Sequence, residues 1–235
     1  MKVVIAGEAP LAEELLKLCA EAGHSAALYS AAVPVGEEVG VALECHNASK
    51  AGKRRLIELL GGAQALYVSA LACSATEAAS WAPRPEAVVG WGALPPLAKE
   101  GTVEIAPALQ SAPAALTAAQ TFWAGLGLQT ASVADGPGLV RARVVCALVN
   151  EAAAALAEGV AEPADIDTAM RLGTNYPRGP LEWGDLIGLD VVLGVMHGLQ
   201  DEFGEDRYRP APLLTRYVQA GRLGRKAGRG FFEYS

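Results

Sequence analysis

The opening stretch, residues 1–30, restricts this chain more than any other part of it. Lys2-Val-Val-Ile-Ala6 is a short apolar run that stops at Gly7, and Leu11, Leu15, Leu16 and Cys19 then recur at helical spacing. Gly23-His24 ends that helix, and Ser25-Ala-Ala-Leu-Tyr29 supplies a second strand. A strand, a helix and a strand in so short a span form a β-α-β unit, which predicts a parallel sheet covered by helices.

Such a sheet binds a dinucleotide when its first turn reads G-x-G-x-x-G. The second glycine lets the backbone approach the pyrophosphate, and the third lets helix and strand pack closely. Here the turn is Gly7-Glu-Ala-Pro-Leu-Ala12, so only Gly7 remains, with Ala9 and Ala12 at the other two places. Glu8 adds a negative charge beside the helix N-terminus, where a pyrophosphate would have to sit. Ser30 stands where an acid would accept from the ribose hydroxyls.

Composition narrows the class further. At 51% hydrophobic, 235 residues can bury a sizeable core. No apolar run reaches the roughly 18 residues of a spanning helix, and the start flows straight into structure with no separate signal segment, so a soluble cytoplasmic protein is expected. Of the charges behind the net −7, 8 basic and 12 acidic residues precede Asp135, and 11 and 14 lie from there on. That even division argues against a nucleic-acid partner. Cys19, Cys45, Cys73 and Cys146 sit singly without a C-x-x-C pair, and read as reduced packing residues rather than metal ligands.

Along the chain, residues 31–40 read as a turn, 39–45 as a strand and 53–60 as a helix. Lys53, in a Lys-Arg-Arg cluster, reads as a solvated lysine. Further strands are expected at 65–69 and 128–133, with helices at 76–81 and 117–125. Asp135-Gly-Pro-Gly138 is a hinge, beyond which helical patterns fill 139–158, 163–171, 191–203 and 212–220. The fold class is therefore α/β: a truncated Rossmann-like domain over 1–134, then an all-α domain over 135–235. Pro177, Gly179 and Pro180 predict a rigid turn between two helices, with Asp190 capping the second. The basic segment 222–229, with interleaved glycines and the closing Phe231-Phe232, reads as a folded tail. His24, His46 and His197 show neither triad nor metal-ligand spacing.

Three motifs, Asp135-Gly-Pro-Gly138, Asn175-Tyr-Pro-Arg-Gly-Pro-Leu-Glu-Trp-Gly184 and the glycine-rich 221–234 segment, resemble the C-terminal domain of the 3-hydroxyacyl-CoA dehydrogenases. The second is similar to the branch found in phenylacetate-type catabolism. The resemblance implies NAD as cofactor, a homodimer built on the helical domain, and a site that this chain has lost in part. The family's substrate-holding serine reads as Ala72, its histidine base as Gly92 and its substrate-contacting asparagine as Ala142. The histidine's carboxylate partner remains as Glu104. Gly7 and Lys53 match at cofactor positions, whereas Ser30 and Ala48 replace the two acids. The helical hairpin that clamps CoA in the family has no counterpart between Ser30 and the next strand.

Two functions follow from that pattern. In the first, the chain has lost or greatly weakened 3-hydroxyacyl-CoA oxidation, binds NAD weakly or not at all, and acts as a dimeric binding or accessory protein. In the second it remains an NAD-dependent oxidoreductase with altered substrate or catalytic residues, Glu104 and a water replacing the histidine. Glycine has no titratable group to take the hydroxyl proton, which favours the first.

Overall fold

The structure, a computed structural model, describes residues 1–30, 34–97 and 100–234. Its sheet has seven strands: β1 (Lys2–Gly7), β2 (Ser25–Leu28), β3 (Val41–Cys45), β4 (Ala65–Ser69), β5 (Val88–Gly92), β6 (Thr102–Pro107) and β7 (Gln129–Ser132). They lie in the order β2-β1-β3-β4-β5-β6-β7, all neighbours parallel except β5 and β6. The reversal from β1–β2 to β1–β3 opens a crevice at the C-terminal strand ends, where open α/β sheets hold their ligands.

Helices cover both faces. Successive residues of β1 alternate between two cores: Val3 and Ile5 pack with α1 (Leu11–Glu21) and α4 (Pro113–Gly125), Val4 and Ala6 with α2 (Lys50–Leu60) and α3 (Ala75–Ala79). Burial on both faces is why β3, β4 and β5 are apolar apart from the buried Glu44 of β3 and Ser69 of β4. Between β2 and β3 the described residues 34–40 form no helix; residues 31–33 of the expected turn lie outside the described residues.

Five helices follow the sheet: α5 (Arg141–Ala157), α6 (Pro163–Thr174), α7 (Pro180–Ile187), α8 (Leu189–Phe203) and α9 (Pro212–Gln219). Their core is built on Val145, Val149, Leu189, Val192, Met196 and Leu214. Leu71 and Leu94, from loops at the sheet, join that core and tie the two parts together. No helix among the described residues is long and apolar enough to cross a membrane.

Three expectations are corrected. The stretch read as a rigid turn contains α7, because Pro180 takes the first helical position, where a proline gives up no hydrogen bond. Asp190 is not a cap: α8 begins one residue earlier after Gly188, and the Asp190 carboxylate accepts from Lys226 Nζ at 2.7 Å. Lys53 is not solvated but fully buried, its Nζ donating to Glu44 Oε2 at 2.5 Å and to the His46 carbonyl at 3.0 Å. The basic tail is folded, with Arg225 on Glu182 and Arg229 on Glu233. All four cysteines are free and buried.

Candidate functional site

The crevice is shaped by the turn after β1. Gly7 lies so close to Cys45 on β3 that an added Cβ would stand 2.6 Å from the Cys45 carbonyl carbon, so the turn leaves no room for a side chain here. Glu8 then turns across the crevice, its carboxylate paired with His46 Nδ1 and accepting from the Asn47 N–H at 3.3 Å. Burial would raise the Glu8 carboxyl, but the hydrogen bond and charge of His46 outweigh it and hold it below the usual range. Glu8 in turn raises His46 above its ordinary value. Between Glu8, Pro10, Leu71, Pro95, Ile187 and Val191 only about 10 Å³ is left, room for about one water.

Ser30 is exposed on the rim of a separate open pocket of about 340 Å³, beside Tyr29, His46 and Arg55. Lys53, read by resemblance as a cofactor contact, has its ammonium enclosed beneath the crevice. There Glu44 Oε2 also accepts from the Ser69 N–H at 3.3 Å, and Ser69 Oγ donates to Asn47 Oδ1 at 3.0 Å. Burial pushes the Glu44 carboxyl up against the pull of Lys53.

Of the positions matched to the family's reacting groups, 92 and 142 are packed and 72 lines a pocket. Gly92 and Glu104 face each other in the antiparallel register of β5 and β6, as a base and its partner would. A Cβ on Gly92, however, would stand 2.8 Å from Leu139 Cδ1 and 3.2 Å from Leu71 Cδ2. The Glu104 carboxylate caps α5, accepting from the Val140 N–H at 3.4 Å and the Arg141 N–H at 3.1 Å. Burial raises its carboxyl against those two donors. Ala142 is 1% exposed in one apolar cluster with Leu71 and Leu94. Ala72 does not join that cluster; it lines a pocket of about 250 Å³ against Gly194, His197 and Gly198 of α8.

His46 is the group that its sequence position hid. Its Nε2 lies 3.0 Å from Ser49 Oγ while its Nδ1 meets Glu8. His46 and Ser49 are three apart in a loop, which signals nothing by itself, and Glu8 comes from another strand end.

The sheet order and the crevice over its strand ends define a Rossmann-like α/β protein carrying a helical C-terminal domain. The family described as "3-hydroxyacyl-CoA dehydrogenase, C-terminal domain" matches residues 138–234. A 3-hydroxybutyryl-CoA dehydrogenase of Clostridioides difficile is 36% identical over 197 residues, covering 84% of this chain and 70% of that protein. A probable 3-hydroxybutyryl-CoA dehydrogenase of Bacillus subtilis is 40% identical over 159 residues, 68% of this chain and 55% of its own length. The match thus spans about half the length of the Bacillus subtilis relative and 70% of the Clostridioides difficile one. Among solved structures, (S)-3-hydroxybutyryl-CoA dehydrogenase from Ralstonia eutropha matches with a TM-score of 0.79 at 26% identity, covering 100% of this chain and 99% of that one. This chain belongs to the 3-hydroxyacyl-CoA dehydrogenase family.

Proposed function

We propose that this chain is a family member that has given up 3-hydroxyacyl-CoA oxidation and works as a dimeric binding or accessory protein. The observation that carries this reading is the state of the base position: Gly92 offers no proton acceptor, and an added Cβ there would press on the side-chain ends of Leu139 and Leu71. The crevice supports it, since Glu8, Pro10, Leu71, Pro95, Ile187 and Val191 close in beside the turn after β1, where a pyrophosphate would have to sit. The residues in this crevice do not fit NAD in their present packing: Glu8 bridges to His46 across the pyrophosphate path, and Pro10, Ile187 and Val191 close over it.

The relatives named as dehydrogenases, together with the Glu104 that still faces position 92, favour the second reading of an active enzyme. Against it, both Glu104 oxygens are engaged by the α5 backbone, so using Glu104 as a base would uncap that helix. The test is NADH oxidation with acetoacetyl-CoA. Losing the base alone lowers turnover by roughly 10²- to 10⁴-fold, and a closed crevice lowers it further. The expected outcome is no rate above background, and turnover at ordinary enzyme values overturns the proposal.

A further inference from the structure

The loop after β3 aligns three side chains that the dehydrogenase reading leaves unused. Glu8 engages His46 Nδ1, and His46 Nε2 lies 3.0 Å from Ser49 Oγ. A carboxylate on one ring nitrogen and a hydroxyl on the other is the arrangement in which an imidazole takes a proton from a nucleophile, on whatever fold it occurs. Glu8 lies against Nδ1, and a carboxylate there favours the ring proton on that nitrogen, which leaves Nε2 to accept from the serine. Gly52 makes the room, since a Cβ there would collide with His46 Nε2 and stand 2.8 Å from Ser49 Oγ.

Ser49 is placed to meet a substrate. It is exposed and lines the pocket of about 250 Å³, with Lys50 beside it and Ala72, His197 and Gly198 opposite. As the residue before α2, it accepts from the Gly52 N–H at 3.2 Å, and the N–H groups of Lys50 and Ala51 have no acceptor within the helix. A hydroxyl donates one hydrogen bond and accepts two, so capping Gly52 leaves the donation to His46 intact.

We propose that Ser49, His46 and Glu8 form an acyl-transfer relay that hydrolyses small esters or thioesters whose acyl group enters this pocket. Ser49 Oγ bonds to the acyl carbon while its proton passes to His46 Nε2, and Glu8 stabilises the imidazolium. The tetrahedral oxyanion faces the N–H groups at the start of α2. The C–O or C–S bond then breaks, and the departing alcohol or thiol takes the proton from His46. A water, giving its proton to the same nitrogen, attacks the acyl-serine. The carboxylic acid leaves and the proton returns to Ser49, so no oxidant or metal is required.

The experiment uses the full chain with p-nitrophenyl acetate, following p-nitrophenolate release and locating the acetyl group by mass spectrometry after acid quenching. The acetyl group is expected on Ser49, with a rate that rises as His46 loses its proton, around a midpoint above 6.5. Ser49→Asn keeps a residue that caps helices but removes the hydroxyl, and His46→Gln removes the base; each should lower the rate roughly 10²-fold or more. Gly52→Ala should do the same by displacing the ring. A rate no higher than that of buffer, an acetyl group on a lysine or cysteine instead, or an unchanged rate in folded Ser49→Asn overturns the proposal.

Discussion

Gly92 shows how much a single position constrains the chemistry. If only side chains had been lost, Gly92→His with Ala72→Ser and Ala142→Asn would rebuild the family's reacting groups beside Glu104. The packing predicts otherwise. Leu139 and Leu71 crowd any Cβ at 92, and Ala142 is buried in an apolar cluster where an asparagine amide would have to be desolvated. The triple variant should show no NADH oxidation with acetoacetyl-CoA, and overpacking at Gly92→His alone should cost about 1–3 kcal/mol in chemical denaturation. Recovered turnover would contradict this account. The sequence assigned these positions by resemblance, from the register of the flanking motifs, and that assignment is what the triple variant tests. The burial of Lys53 was not legible there: its partner Glu44 stands on a strand, and the buried pair exists only once α2 packs on β3.

At the scale of elements, carboxylates act mainly as caps that join one segment to another. Glu104 holds the start of α5, Asp135 accepts from the Ala75 and Thr76 N–H groups of α3, and Asp167 from the Leu181 and Glu182 N–H groups of α7. Strands β1 to β4 and β7 and the long helices were readable from their periodicity, but α7 was not, because its prolines and glycines look like breakers and its cap comes from α6. The Glu8–His46 pair joins the turn after β1 to the loop after β3, with Glu44 and Lys53 also acting on His46. His46 is raised from 6.5, so its stabilisation is complete below that value and fades as pH rises through the higher folded value. Glu8 is lowered from 4.5, so its share is present above 4.5 and fades as pH falls through the lower folded value. Wild-type stability relative to His46→Gln should therefore be greatest between these limits, by about 1–2 kcal/mol. Denaturation curves across pH 4 to 9, a range of about five units, check this; a constant difference would contradict it.

For the whole molecule, the helical half exposes Val140, Val144, Val160 and Leu172, each more than half accessible. These exposed apolar side chains are the surface on which the proposed two-fold homodimer would be built. Light scattering should give twice the 24.3 kDa chain mass, and a monomer at micromolar concentration would remove the proposal. The central proposal is that the crevice over the strand ends does not take a dinucleotide. Calorimetric titration of the protein with NADH tests it most directly. The account predicts no saturable heat up to about 1 mM ligand, whereas a one-site isotherm with a Kd of about 10 µM or tighter would contradict it.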